Sequence, residues 1–206
     1  MRHFTNAIIA LCIFITTLVH AQAAVPKIAL VLDRGGKDDK SFNTAAFKGA
    51  TEAKEKFGIH LKEIEASDET LFEPAMRSFS RKNYDLIVGI GISQSEAVKK
   101  LSKELPHQKF AIVDAPVQAS NVVSILFQEH EGSYLVGYIA GLKTKTGVVG
   151  FIGGMDIPLI RRFETAYTQG VQAARPGTKV LVNYVGVTSE AWNNPTKARE
   201  LAESQY

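Results

Sequence analysis

Apolar residues recur along this chain in two rhythms, and the rhythms take turns. Lys27-Ile28-Ala29-Leu30-Val31-Leu32 closes an apolar run from Ala24 that predicts a buried strand. Thr44 to Phe57 then places Ala46, Phe47, Ala50, Ala53 and Phe57 on one stripe of a helix, which Gly58 ends as a C-cap. Ile59 to Glu65 alternates apolar and charged residues, as a half-buried strand does. Phe72 to Asn83 predicts a second helix, with Pro74 tolerated in its first turn. Tyr84 to Ile90 is another buried strand. Ser93 and Glu96 have capping-box spacing for a helix that runs to Leu105, where Pro106 stops it. Lys109 to Val113 and Asn121 to Phe127 are strands. Ser133 to Lys143 is an apolar helix whose Gly137, Ala140 and Gly141 suit close packing. Gly147 to Gly153 (strand), Pro158 to Ala174 (helix), Lys179 to Val185 (strand) and Pro195 to Gln205 (helix) complete the series.

Strand and helix in regular alternation predict parallel sheets joined by right-handed crossovers, an α/β fold with helices on both faces. The polar break Gln128-Glu129-His130-Glu131-Gly132 is the best candidate boundary. It divides an N-terminal α/β lobe, residues 24–127, from a second α/β unit, residues 128–206. Two strands cannot make a well-covered parallel sheet, so the second lobe is expected to be incomplete or to lean on the first.

Met1 to Ala23 is expected to be a signal peptide. Arg2 and His3 precede an apolar core from Ala7 to Val19, and Ala21-Gln22-Ala23 has the small-x-small form of a cleavage site. Without that segment, which holds one Arg and no acid, the formal net charge falls from +3 to +2. So small a balance gives no argument for nucleic acid or an anionic membrane. The single cysteine, Cys12, lies within the apolar core, so the mature chain is expected to carry no thiol chemistry.

Catalytic signatures are missing. Gly89-Ile90-Gly91-Ile92-Ser93 is not a nucleophile elbow, no phosphate loop occurs, and His60, His107 and His130 lack metal-ligand spacing. Asp38 and Asp39 are adjacent and read as solvated or capping residues. What remains is a set of groups at strand ends and in loops. Asp33 and Asp114 each close an apolar strand. Phe42 and Asn43 sit in the turn after Asp33, Trp192 in a polar loop, and Phe163 on the long helix. Carboxylates, a carboxamide and rings around the carboxyl ends of parallel strands suit a flat, uncharged, polar-edged molecule. An enzyme using Asp33 and Asp114 as acid and base is the alternative, but no water-activating group accompanies them.

Four stretches carry a family resemblance: Asp38-Asp39-Lys40-Ser41-Phe42-Asn43, Phe110-Ala111-Ile112-Val113-Asp114, Glu131-Gly132-Ser133-Tyr134-Leu135-Val136-Gly137 and Val149-Gly150-Phe151-Ile152-Gly153-Gly154-Met155. In this order they resemble the basic membrane protein family, solute-binding proteins of ABC transporters that include purine nucleoside receptors. The resemblance implies a type I periplasmic-binding-protein fold, with two lobes and a ligand cleft between them. It implies that Phe42 and Trp192 stack on a purine, a Phe being usual where this chain has Trp192. Asn43 and Asp114 would read the base edge, Asp33 would add an acceptor, and Phe163 would line the cleft. It further implies a non-enzymatic periplasmic monomer without cofactor, working with an ABC permease at the inner membrane. Many members are lipoproteins, but Ile9-Ala10-Leu11-Cys12 is a poor lipobox, so a free protein is expected. The family's ribose-holding glycine turn, aspartate and lysine have no counterpart here, which predicts weak ribose selectivity, or a remnant unable to close on ligand.

Overall fold

The structure is a computed structural model and describes residues 24–206; the expected signal peptide lies outside the described residues. Strands β1 (Lys27–Leu32), β2 (His60–Glu65), β3 (Leu86–Ile90), β4 (Lys109–Val113) and β5 (Val122–Ile125) form one parallel sheet in the order β2-β1-β3-β4-β5. Strands β6 (Val148–Met155) and β7 (Lys179–Gly186) form a separate parallel pair. The helices are α1 (Phe42–Phe57), α2 (Phe72–Arg81), α3 (Ser95–Glu104), α4 (Glu129–Lys143), α5 (Pro158–Ala174) and α6 (Pro195–Gln205). The α/β class with parallel sheets and helices is as the apolar rhythms predict.

β1 shows why the apolar runs are continuous. Ala29 and Val31 pack on one face with Phe72, Met76 and Phe79 of α2 and Val98 and Leu101 of α3. Leu30 and Leu32 pack on the other with Ala46, Phe47 and Ala50 of α1. A strand covered on both faces has no polar side to alternate with. β2 lies at the edge, and its Lys62, Glu63 and Glu65 keep that edge charged.

α4 and α5 pack so closely that glycine is required at the crossing. A Cβ on Gly137 would lie 2.0 Å from the Tyr167 carbonyl oxygen, and one on Gly170 would lie 2.0 Å from that of Tyr134. The small residues expected to pack closely therefore do so, with a reciprocal glycine on the partner helix.

Several boundaries differ from those the sequence predicts. α4 begins at Glu129, so most of the expected polar break is helix; Glu129 and Glu131 fall in its first turn, where acidic groups complement the helix dipole. β5 stops at Ile125 rather than Phe127. The capping box does not form. A turn of 3-10 helix, Ile92–Gln94, precedes α3, whose N-cap is Gln94 without a side-chain cap.

Candidate functional site

The carboxyl ends of β1, β3 and β4 meet the start of α5 and the turn before α6 around one cavity of about 580 Å³. Asp33, Phe42, Asn43, Asp114 and Trp192 all line it. Five of the six residues singled out in the sequence are thus brought together. The sixth is not: Phe163 is half-buried on α5 and contributes nothing to the cavity wall, which Leu159 and Ile160 line instead. Phe163 lies about one helical turn, ~5.4 Å, farther along the helix from the sheet's rim.

The turn after β1 is held by its own acids. Helix α1 starts at Phe42, so Phe42 and Asn43 belong to its first turn rather than to a loop. The N-cap Ser41 offers no side-chain bond. Asp39 does the capping: its carboxylate accepts from the backbone N–H groups of Ser41 (2.8 Å), Asn43 (2.9 Å) and Thr44 (3.0 Å). Burial pushes the Asp39 carboxyl up, but these N–H donors outweigh it and hold the group far below the usual carboxylate range.

Asn43 is 4% exposed, and its carboxamide is committed to the protein. Its oxygen accepts from the Asp33 N–H at 2.9 Å, and its amide nitrogen donates to Asp39 at 3.0 Å. The side chain expected to read a ligand's edge therefore first fixes Asp33 in place.

Asp33 is 9% exposed, and burial raises its carboxyl despite the Arg34 N–H, which donates to it at 2.7 Å, and the Ser93 hydroxyl. Gly91 makes room for it: at φ 101°, a Cβ there would lie 2.9 Å from Asp33 Oδ2. Asp114 has φ 68°, an uncommon conformation for a non-glycine residue, and its N–H donates to the Ile125 carbonyl at 2.8 Å. Burial, and secondly the charge of Glu129, raise its carboxyl as well. Two raised carboxylates in one cleft make it receptive to N–H and O–H donors and hostile to anions.

Opposite them, Trp192 stands on a one-turn 3-10 helix, Ser189–Asn193, rather than in an open loop. Its six-membered ring lies against Gly154 of β6, where a Cβ would come within 2.5 Å. The indole Nε1 is buried with no hydrogen-bond partner among the described residues. Asn194 caps α6 by accepting from the Lys197 N–H at 3.0 Å, which fixes the end of the Trp192 turn. Across the cleft mouth, Arg34 and Glu190 approach to 4.0 Å.

Sequence reasoning missed Gly91, Leu159, Ile160 and Asn193 in the wall, and missed Gln94 beneath it. Gln94 is fully buried and donates to the carbonyls of Val31 and Ile90, both at 2.9 Å, clamping together the ends of β1 and β3. Among the described residues no group of three or more His, Cys, Asp or Glu could hold a metal ion.

Two parallel α/β units with polar and aromatic groups at the carboxyl ends of their strands have the architecture of the periplasmic-binding-protein-like fold. Comparison with known proteins places the chain within that class. Over residues 26–206 it matches the Bmp family, described as ABC transporter substrate-binding protein PnrA-like, and it belongs to that family. It is 33% identical to the ABC transporter nucleoside-binding protein BmpA of Lactococcus lactis over 87% of this chain and 52% of the relative. It is 38% identical to the CD4+ T-cell-stimulating antigen of Listeria monocytogenes over 87% of this chain and 51% of the relative. A crystal structure of an ABC transporter solute-binding protein from Aeropyrum pernix superposes with a TM-score of 0.77 at 32% identity, over 87% of this chain and 52% of that one. The chain spans about half the length of these relatives.

Proposed function

We propose that this chain carries the base-recognition part of a purine nucleoside site, in a solute-binding protein that is exported and delivers its ligand to an ABC permease. The observation that carries the reading is the convergence of Phe42, Trp192, Asp33 and Asp114 on one cavity of about 580 Å³. That size suits a small, flat ligand. Phe42 from the first unit and Trp192 from the second supply ring faces, each worth roughly 1–3 kcal/mol against a base. The raised carboxylates of Asp33 and Asp114 accept from ring N–H or amino groups, recovering part of their burial cost, and disfavour a phosphorylated ligand. Phe163 has no part in this reading, and Asn43 acts through Asp33. The name of the Lactococcus relative supports a nucleoside as ligand.

Calorimetry with inosine, adenosine, adenine and AMP tests the proposal. The three uncharged ligands should bind and AMP should not; binding of AMP as tight as adenosine would sink the electrostatic part. Trp192→Ala should weaken nucleoside binding at least ~10-fold, the equivalent of about 1.4 kcal/mol. Unchanged affinity would remove Trp192 from the site. Release of free base from inosine would favour the enzyme reading instead.

A further inference from the structure

The wall of the cavity is one-sided in charge. Asp33, Asp38, Asp39 and Asp114 line it, and no Lys, Arg or His among the described residues does. The cations around it are committed to acids outside the wall. Arg34 faces Glu190 across the mouth at 4.0 Å. Lys37 bonds Glu65 at 2.7 Å and lies farther, 3.8 Å, from Asp38. Arg162 pairs with Glu129. Two further acids add to the excess, Glu69 acting on Asp33 and Glu129 on Asp114.

Hydrogen-bonding capacity is one-sided in the same way. Ionised carboxylates accept and cannot donate. Asp39 already takes three backbone N–H groups, so it contributes charge rather than a free acceptor. The Asn43 carboxamide is held by Asp33 and Asp39, and the Trp192 indole N–H is closed off from solvent. Ser41 and Asn193 are the neutral side chains left to donate. A guanine edge pairs well with such a wall through N1–H and the 2-amino group, but its N7 and O6 are acceptors that need donors. Alkylation at N7 removes one of those acceptors and puts a fixed positive charge on the ring. Phe42 and Trp192 then hold it better as well, because a cation is attracted to aromatic faces beyond ordinary stacking.

We propose that the cavity selects purine nucleosides that carry a positive charge on the base, N7-alkylated guanosine being the simplest of the class. This selectivity rests on the nucleoside reading above and narrows it. Burial penalises the ionised forms of Asp33 and Asp114, and a cationic base beside them offsets that penalty where a neutral base only hydrogen-bonds to them. A metal ion is the poorer counter-charge, since among the described residues no group of three or more His, Cys, Asp or Glu could hold one.

Calorimetry with guanosine, 7-methylguanosine and 7-methyl-7-deazaguanosine separates the charge from the methyl group. The deaza compound has the methylated shape, no N7 acceptor and no charge. At about pH 6, where 7-methylguanosine keeps its N1 proton, it should bind at least ~10-fold more tightly than either neutral nucleoside. Raising salt from about 0.05 to about 0.5 M should narrow that ratio. Asp33→Asn and Asp114→Asn should each reduce it at least ~3-fold. Guanosine binding with no gain from 7-methylguanosine would overturn the charge selectivity and leave the nucleoside proposal standing. A deaza compound as tight as 7-methylguanosine would overturn it too, since methyl contact would then explain the preference. If none of the three binds, the nucleoside reading fails and the charge selectivity fails with it.

Discussion

The five-stranded and two-stranded sheets are made of the same kind of strand and differ in what covers them. In the first, Ile87, Phe110, Ile112, Val98 and Leu101 are essentially inaccessible, with helices on both faces. In the second, large buried side chains are few among the described residues, Leu159 and Val171 being the main ones, and α4 shows solvent an apolar face. Apolar sequence alone does not make a core; a core needs a partner for every face. The two units should therefore respond differently to mutation, and the candidate site lies where the well-covered unit meets the loosely covered one.

The largest expected effect tests this contrast directly. Phe110 is 1% exposed, and Phe110→Ala should cost about 3–5 kcal/mol of unfolding free energy in urea titration. Ile139→Ala, on the open face of α4, should change it by less than ~0.5 kcal/mol. Comparable losses at both positions would mean that α4 is covered in solution. The next effect is local to the second unit. In Gly170→Ala the new Cβ meets the Tyr134 carbonyl at 2.0 Å and the Tyr138 nitrogen at 2.8 Å, so α4 and α5 must part. A loss of about 1–3 kcal/mol is expected, with faster hydrogen exchange in α4 and α5 and none in β1, β3 and β4. Exchange rising equally in the first sheet would show one cooperative unit rather than two.

The same contrast explains what could be read from the chain alone. Strands such as β1 and β3 are covered on both faces, and such coverage writes continuous apolar runs, so element order and α/β class were legible. So was the gathering of Asp33, Asp114 and Phe42, because a parallel sheet brings its strand ends to one rim. Trp192, beyond the separate two-stranded sheet, was placed opposite them only by the family resemblance. What escaped was decided by side-chain bonding and helical phase. Asp39, two residues before the N-cap, caps α1, so the helix began earlier than its apolar stripe suggested. Gln94 spends its amide on two strand ends, a role without a local pattern. Phe163 had the right chemistry at the wrong height on α5, and Asn43 had its carboxamide taken by Asp33 and Asp39.

Smaller effects come from the site itself. Folding places Asp33 where ionisation costs more than in the unfolded chain. That cost is absent below the ordinary carboxylate value, grows as pH rises through the raised folded value, and stays constant above it. Asp33→Asn keeps an oxygen to accept from the Arg34 N–H and removes the charge. It should raise Tm at pH 7 by about 1–3 °C, the gain shrinking toward pH 4, while nucleoside binding weakens. A lowered Tm at pH 7 would show that the ionised carboxylate is stabilised by its donors and not penalised by burial.

The smallest effect bears on how the two units touch. Arg34 follows Asp33 in the first unit, and Glu190 precedes Trp192 by two residues in the second; at 4.0 Å, with Glu190 largely exposed, their attraction is weak. A double-mutant cycle with Arg34→Ala and Glu190→Ala should give a coupling of roughly 0.2–1 kcal/mol, falling toward zero at about 0.5 M salt as screening shortens its reach. Ligand should strengthen the coupling if binding draws Phe42 and Trp192 onto one base, because closing the cleft shortens the distance across its mouth. A coupling that is the same with and without nucleoside would mean that the mouth is already closed, and that the second unit's turn rests on the first whatever occupies the cavity.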